Sequence, residues 1–180
     1  MNHQVRTEEM GWAPVTETER APEYEIAALL ARKKLRVTTA ESCTGGLIAG
    51  TLVNVPGISA WFEEGYVTYS NGAKERLLGV PHKVLEAHGA VSEETAAAMA
   101  EGAARAAHAD AAVISTGIAG PDGGTEEKPV GLVYIGCFCR GKTRVEKHLF
   151  QGDRGNVRGQ SVQAALLLLK SMLCEAESGE

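Results

Sequence analysis

Two hydrophobic periods alternate along the chain and predict helices and strands in turn. Apolar residues recurring three and four positions apart, with capping residues and terminal glycines, predict helices at residues 22–34, 47–54, 73–78, 83–88, 92–108 and 154–174. Runs rich in β-branched, aromatic and apolar residues predict strands at residues 37–39, 61–69, 111–116, 130–139 and 143–150. Helices and strands thus interleave along most of the chain.

This order of elements is typical of the α/β class. Three strands are each followed by helices or a long loop, whereas the last two are joined across Arg140-Gly141-Lys142 as a hairpin. We therefore expect a three-layer α/β/α sandwich with a mixed sheet of about five strands. It forms one domain over residues 21–175, with a disordered tail at residues 1–20 and a frayed end at residues 176–180.

Composition narrows the classes of partner. The formal net charge of -5 gives no basic surface for nucleic acid, and no apolar run is long enough to cross a membrane. The first 20 residues lack the apolar run of a signal peptide, and the four cysteines show neither a disulfide framework nor zinc-like spacing. We therefore expect a cytoplasmic protein without metal or cofactor.

The stretch Val37–Gly46 reads as a strand, a tight turn and the start of a helix. Free N–H groups at a helix start favour anions, so Ser42 could be a nucleophile there, or the turn could cradle a phosphate. Cys43 is a rival nucleophile, because a helix N-terminus lowers the pKa of a thiol. If an oxyanion forms, its candidate donors are the N–H groups of Cys43, Thr44, Gly45 and Gly46.

Ligands gather where the strands of an α/β sheet end, and two further residues there carry chemistry. Tyr69 follows a predicted strand, and Lys74 lies one turn into the next helix. Together with Ser42 they could form a Ser–Lys site, in which neutral Lys74 takes the Ser42 proton and Tyr69 relays a proton to the leaving group. The alternative is that none of the three is catalytic. Ser42 would then cap a helix, Tyr69 would pack within a strand and Lys74 would be a solvated charge on a helix.

A glycine-rich loop at residues 116–131 and the head of the last helix are candidate anion sites. A dinucleotide fold is excluded because the loop runs into Pro129 rather than a helix. The spacing from Tyr69 to Lys74 also differs from that of short-chain dehydrogenases. The alternative for Arg154 and Arg158, at the head of the last helix, is that they are solvated surface arginines that bind no ligand. The candidate substrate-binding residues are Thr116, Gly117, Gly120, Gly123, Arg154 and Arg158.

Five ordered blocks between Glu25 and Leu173 resemble the CinA C-terminal domain family. They read TTAESCTGGLIA, WFEEGYVTYSNGAKERLLGV, HGAVSEETAAAMAEGA, STGIAGPDGGTEEKPVGLVYIG and QGDRGNVR. Gly72, where the family more commonly has Glu, is a departure that leaves Ser42, Tyr69 and Lys74 intact. The family's catalytic Ser, Tyr and Lys fall on these same three residues.

The resemblance implies a five-stranded mixed sheet and hydrolysis of nicotinamide mononucleotide (NMN) to nicotinate mononucleotide and ammonia, in pyridine nucleotide salvage. It also implies a homo-oligomer, as a dimer, and a Ser–Lys–Tyr mechanism without a cofactor. Larger members carry an N-terminal pyrophosphatase-like domain; only about 20 polar residues stand in that position here, so we expect that activity to be absent. The alternative is a catalytically silent nucleotide-binding module of the competence- and damage-inducible family.

Overall fold

The computed structural model describes residues 21–176, which form six α-helices, a short 3-10 helix at Ile58–Ala60 and a five-stranded sheet. The predicted tail at residues 1–20 and residues 177–180 lie outside the described residues. The helices are α1 Pro22–Lys33, α2 Leu47–Leu52, α3 Asn71–Leu78, α4 His82–His88, α5 Glu93–Ala106 and α6 Arg154–Glu175. The strands are β1 Val37–Glu41, β2 Phe62–Val67, β3 Ala111–Gly117, β4 Leu132–Cys139 and β5 Lys142–Leu149.

The sheet has the strand order β2-β1-β3-β4-β5 and is mixed. Strand β1 pairs in parallel with β2 on one side and with β3 on the other. Strands β4 and β5 continue the sheet in antiparallel fashion and form the hairpin that the sequence predicts. The three parallel strands therefore end at one edge of the sheet, with β1 between its two partners.

Helices cover both faces of the sheet, and each face has its own apolar core. One core joins α1, α2 and α6 to the sheet around Val113, Ile135 and Leu169. The other joins α3, α4 and α5 to the opposite face around Ile114, Met99 and Leu78. The alternation of Val113 and Ile114 between the two cores reflects the two-residue period of strand β3. The predicted three-layer α/β/α sandwich is thus confirmed.

One difference from the predicted elements, at the end of β2, affects the position of the following helix. The sequence predicts a strand through Tyr69, but pairing ends at Val67, after which the Thr68 N–H donates to the Glu41 carbonyl at 2.8 Å. Ser70 then caps α3 by accepting from the Ala73 N–H at 3.2 Å. The early end of β2 turns the chain over the end of β1 and carries α3 toward Ser42.

Helix α5 approaches the end of α3 so closely that only glycine fits at position 102. A Cβ on Gly102 would lie 2.2 Å from the Leu78 carbonyl oxygen, which is backbone and cannot move aside alone. Gly102→Ala should therefore lower the free energy of unfolding by about 1–3 kcal/mol, although alanine is about 1 kcal/mol better than glycine in a helix. Urea unfolding measures this difference.

Gly159→Ala is the matched control, because a Cβ at that position in α6 meets nothing within 4 Å. It should leave stability unchanged or raise it by up to about 1 kcal/mol. Equal effects of the two substitutions would show that the contact between α5 and α3 is not as tight as described.

Candidate active site

A cleft of about 260 Å³ opens at the carboxyl ends of the three parallel strands. Strand β1 leads to β2 on one side, and β2 leads back across β1 to β3, so the chain changes direction at β1. Such a switch point leaves a crevice above the sheet, where ligands bind in open α/β folds. Ser42 follows β1, Tyr69 follows β2 and Gly117 ends β3, and all three line the cleft.

Ser42 and Lys74 form a buried pair at the base of the cleft. Lys74 Nζ lies 3.2 Å from Ser42 Oγ and donates to the Thr68 carbonyl at 2.8 Å. Lys74 is only 1% exposed and Ser42 9%. Among residues 21–176, no carboxylate lies within ion-pair distance of Lys74. Burial lowers the pKa of Lys74 from its ordinary value of 10.5, which favours the neutral amine that a general base requires.

Residues 42–46, here called the nucleophile turn, depend on two glycines. Gly45 has a φ of +61° and Gly46 a φ of +98°, conformations that other residues rarely adopt. The turn is closed by the Gly45 N–H, which donates to the Ser42 carbonyl at 3.1 Å. It is tied to β3 by the Ser42 N–H, which donates to the Ser115 carbonyl at 3.0 Å. These bonds fix Ser42 Oγ opposite Lys74.

The Glu41 carboxylate occupies the helix start that the sequence assigned to an anion. It accepts the N–H groups of Gly46, Ile48 and Ala49 at 2.8–3.0 Å, and the Thr44 hydroxyl at 2.6 Å. Sequence reasoning missed this residue because an acidic residue at a strand end reads as exposed, whereas Glu41 is fully buried. Its only signal is its position, a few residues ahead of a helix whose first N–H groups need an acceptor.

This arrangement corrects the set of predicted oxyanion donors. The Gly46 N–H is taken by Glu41 and the Gly45 N–H by Ser42, so neither points an unused donor at the cleft. Within residues 21–176, no acceptor is found for the N–H groups of Cys43 and Thr44. These two remain as candidate donors, immediately after Ser42.

The spacing of Arg154 and Arg158 suggested that both bind one ligand, but only Arg154 belongs to the cleft lining. Arg154 lines the cleft, where it donates to the Gly120 carbonyl at 2.9 Å and to the Tyr69 hydroxyl at 3.3 Å. Arg158 lies outside the cleft lining and donates to the carbonyls of Cys43 and Thr44 at 3.1 and 2.8 Å. Arg158 therefore supports the nucleophile turn, and Arg154 is the cation that a ligand can reach.

Tyr69 lies in the cleft lining and is 64% exposed. Among the described residues, its hydroxyl accepts a hydrogen bond from Arg154, and no direct hydrogen bond joins it to Ser42 or Lys74. The tyrosine is thus positioned to meet a bound molecule rather than to assist the buried pair directly.

The glycine-rich loop forms another part of the cleft lining. Thr116, Gly117, Gly120 and Gly123 all line the cleft, as does Asp122, which the sequence reasoning did not select. The Thr116 hydroxyl donates to the Ala90 carbonyl at 2.7 Å, so it can offer only its oxygen lone pairs to a ligand while that bond holds.

The four cysteines are unpaired, and Cys43, Cys137 and Cys139 are buried. Burial raises the pKa of both the Cys43 and Cys137 thiols. Across residues 21–176, no group of three or more His, Cys, Asp or Glu side chains is arranged to hold a metal ion. None of the helices in this part of the chain has the length and apolar character needed to cross a bilayer.

Comparison with known proteins places this fold in context. Residues 19–173 match the model of the CinA C-terminal domain. A competence-damage inducible protein of Clostridium beijerinckii is 55% identical over 151 residues, which are 84% of this chain and 37% of the relative. A relative of the same description in Moorella thermoacetica is 53% identical over 156 residues, 86% of this chain and 38% of the relative. The chain thus spans little more than a third of the length of these relatives.

Solved structures match over most of their own length. A CinA superfamily protein from Klebsiella pneumoniae has a TM-score of 0.82 and 34% identity, covering 87% of this chain and 100% of that chain. A competence/damage inducible protein from Agrobacterium tumefaciens has a TM-score of 0.79 and 42% identity, covering 85% and 96%. The shared domain is therefore the whole α/β/α sandwich.

Proposed function

This chain belongs to the CinA C-terminal domain family, and we propose that it hydrolyses the carboxamide of NMN to nicotinate mononucleotide and ammonia. The observation that carries the proposal is the buried contact of 3.2 Å between Lys74 Nζ and Ser42 Oγ, without a carboxylate partner among the described residues. Burial lowers the pKa of this amine, so Lys74 can take the Ser42 proton across that contact.

In the first half of the reaction, Ser42 Oγ attacks the carboxamide carbon while neutral Lys74 takes the hydroxyl proton. The carbonyl oxygen becomes an oxyanion, which the N–H groups of Cys43 and Thr44 are placed to stabilise. The carbon–nitrogen bond then breaks, and the amide nitrogen leaves as ammonia once it receives a proton. Lys74 holds that proton, and Tyr69 at the cleft mouth is the candidate relay.

In the second half, water hydrolyses the ester on Ser42. Lys74, neutral again after giving up its proton, accepts a proton from the attacking water. The ester bond to Ser42 Oγ breaks, and Ser42 Oγ takes back the proton from Lys74. The carboxylic acid gives its remaining proton to solvent, so nicotinate mononucleotide leaves as a carboxylate. Each step uses groups of this chain together with substrate and water.

The charge of the substrate suits this site. The pyridinium ring is a fixed cation, which favours the neutral form of a nearby lysine and makes the attached carboxamide more electrophilic. The single phosphate requires a cation at the cleft, and Arg154, which lines the cleft away from the buried Ser42–Lys74 pair, can supply it. The backbone of the glycine-rich loop and Asp122 complete the wall against which the ribose would lie.

The two arginines should affect different kinetic constants. Arg154→Ala should raise the KM for NMN about tenfold or more, because it removes a charge-assisted contact to the phosphate worth roughly 1.5–3 kcal/mol. Arg158→Ala should instead lower kcat with little change in KM, because it loosens the nucleophile turn without touching the substrate. Steady-state kinetics of ammonia release separates the two effects, and a large rise in KM for both variants would contradict the assignment.

The first experiment is an assay of the purified protein with NMN, in which ammonia and nicotinate mononucleotide are measured together. We expect both products in equal amounts. A silent nucleotide-binding module would instead show NMN-dependent thermal stabilisation without either product. The homodimer expected from the family resemblance stays a prediction, for which sedimentation of the full chain is the measurement.

A further inference from the structure

The link between α4 and α5, residues 89–92, forms part of the cleft and is shaped by side-chain hydrogen bonds. Ala90 and Val91 line the cleft. The Gly89 carbonyl, just before them, accepts from the Thr95 hydroxyl at 2.7 Å. The main chain of this link lies between two helices and takes its position from the side chains that bind it.

Two side chains of the glycine-rich loop bind the same region. The Thr116 hydroxyl donates to the Ala90 carbonyl at 2.7 Å, and Lys128 Nζ donates to the His88 carbonyl at 2.7 Å. His88 is the last residue of α4, where carbonyls lack partners within the helix and a positive charge is favourable. Lys128 therefore joins the far end of the loop to the end of α4 by a charge-assisted hydrogen bond.

Residues 119–128 of the loop have few other attachments. Among the described residues, two hydrogen bonds tie them to the rest of the chain, one from Arg154 to the Gly120 carbonyl and one from Lys128 to the His88 carbonyl. Arg154 lines the cleft and is proposed to bind the phosphate, whereas Lys128 lies outside the cleft lining. Lys128 is thus the anchor that a bound substrate leaves in place.

Resting on the proposed function, we propose that Lys128 is a positioning residue, which holds the glycine-rich loop to the end of α4 and so fixes the part of the cleft lining that meets the nucleotide portion of the substrate. That part includes Asp122 and Gly123 of the loop. The Ser42–Lys74 pair is held by the nucleophile turn and by the Thr68 carbonyl, neither of which contacts Lys128. The bond from Lys128 should therefore affect substrate binding and leave the chemical steps unchanged.

The first test separates KM from kcat in ammonia release from NMN. Lys128→Met removes the donor and keeps most of the length of the side chain. If the loop then holds its place only about a tenth to a fifth of the time, the KM should rise about five- to tenfold, because the apparent affinity falls with the fraction of binding-competent protein. The kcat at saturating NMN should stay within about twofold of wild type, because bound substrate selects the ordered loop.

Two control variants separate the anchor from a general effect of surface charge. Lys128→Arg keeps a long cationic donor and should have a KM within about twofold of wild type. Lys83→Met removes an exposed lysine from α4 itself and should leave both constants unchanged. A rise in KM in Lys83→Met equal to that in Lys128→Met, or a fall in kcat with unchanged KM in Lys128→Met, would overturn the proposal.

Amide hydrogen exchange of the protein without substrate is a readout that does not depend on turnover. The N–H groups of Thr125 and Lys128 are hydrogen-bonded within the loop, and in Lys128→Met they should exchange faster than in wild type, with exchange in β1 unchanged. Unchanged exchange in the loop would overturn the proposal, as would loss of the fold, because Lys128 belongs to neither apolar core.

The two measurements also separate this proposal from the proposed function. A wild-type protein that releases no ammonia from NMN would contradict the hydrolysis, and the exchange measurement would then decide by itself whether Lys128 fixes the loop. Normal hydrolysis by the wild type with an unchanged KM in Lys128→Met would overturn the positioning role and leave the hydrolysis standing.

Discussion

Ser42→Ala should abolish ammonia release from NMN, lowering kcat by about 10³-fold or more while the fold is retained. The substitution removes one oxygen atom from a turn that is held by other groups, namely the Ser42 backbone N–H and the glutamate behind it. The hydroxyl is also one of the two partners of buried Lys74, so we expect the free energy of unfolding to fall by about 1 kcal/mol, which leaves the protein folded. Ammonia release at saturating NMN measures the effect, with circular dichroism as a check of the fold.

Cys43→Ala is the matched control for the choice of nucleophile. It removes the neighbouring sulfur but keeps the backbone N–H, so the variant should remain active. Calorimetry should show that Ser42→Ala still binds NMN, because the hydroxyl acts on the carboxamide rather than on the phosphate. Near-normal turnover by Ser42→Ala, or loss of turnover in Cys43→Ala alone, would contradict the serine mechanism.

Lys74→Met should also remove most turnover, by about 10³-fold, and should change the pH dependence of what remains. Burial lowers the pKa of Lys74, so the kcat/KM of the wild type should rise with pH as the amine loses its proton. The midpoint of this acidic limb should lie below the ordinary lysine pKa of 10.5. That limb should be absent in Lys74→Met. Lys74→Arg keeps a positive charge that cannot be lost and should be equally inactive, which excludes a purely electrostatic role.

The same lysine should leave a mark on stability that does not depend on turnover. Between its lowered pKa in the folded state and 10.5 in the unfolded state, the unfolded chain binds the extra proton. The free energy of unfolding of the wild type should therefore rise with pH in this window, by up to about 1.4 kcal/mol per pH unit from this group. Lys74→Met lacks this contribution, so its stability relative to wild type should decrease as the pH rises.

Urea unfolding of both proteins between pH 7 and pH 10 measures that difference. The comparison also controls for the two acceptors that methionine leaves behind, since the loss of their hydrogen bonds is the same at every pH. A constant difference across the range would mean that Lys74 is protonated in the folded protein as readily as in water, and would remove the basis for its role as a base.

The fold was predictable because the hydrophobic pattern and the turn residues agree in each element. The strand through Val37, the glycine turn and the following helix lie where their pattern places them, and the late hairpin makes the sheet mixed. The end of β2 was not predictable from pattern, because Tyr69 is apolar enough for a strand. The Thr68 N–H takes the carbonyl of Glu41, the last residue of β1, so Tyr69 has no partner left on that strand and leaves the sheet.

Within the candidate site, residue types could be selected from the sequence but their hydrogen-bond partners could not. Ser42 and Lys74 are 32 positions apart, and the helix cap at Ser70 together with the early end of β2 brings them to 3.2 Å. Glu41 was not selected from the sequence. Arg158 was selected as a substrate-binding residue, whereas it contacts the carbonyls of Cys43 and Thr44. Which ligand a carboxylate or guanidinium binds depends on tertiary contacts, such as those between Arg158 and carbonyls more than 100 positions earlier in the chain.

The most direct test of the central claim is the location of the covalent intermediate. A reaction with NMN is quenched in acid during turnover and digested, and the peptides that span residues 37–52 are mapped by mass spectrometry. The account predicts an adduct equal in mass to NMN minus ammonia, carried as an ester on Ser42. The same adduct on Cys43, or turnover of NMN by Ser42→Ala at the wild-type rate, would contradict it.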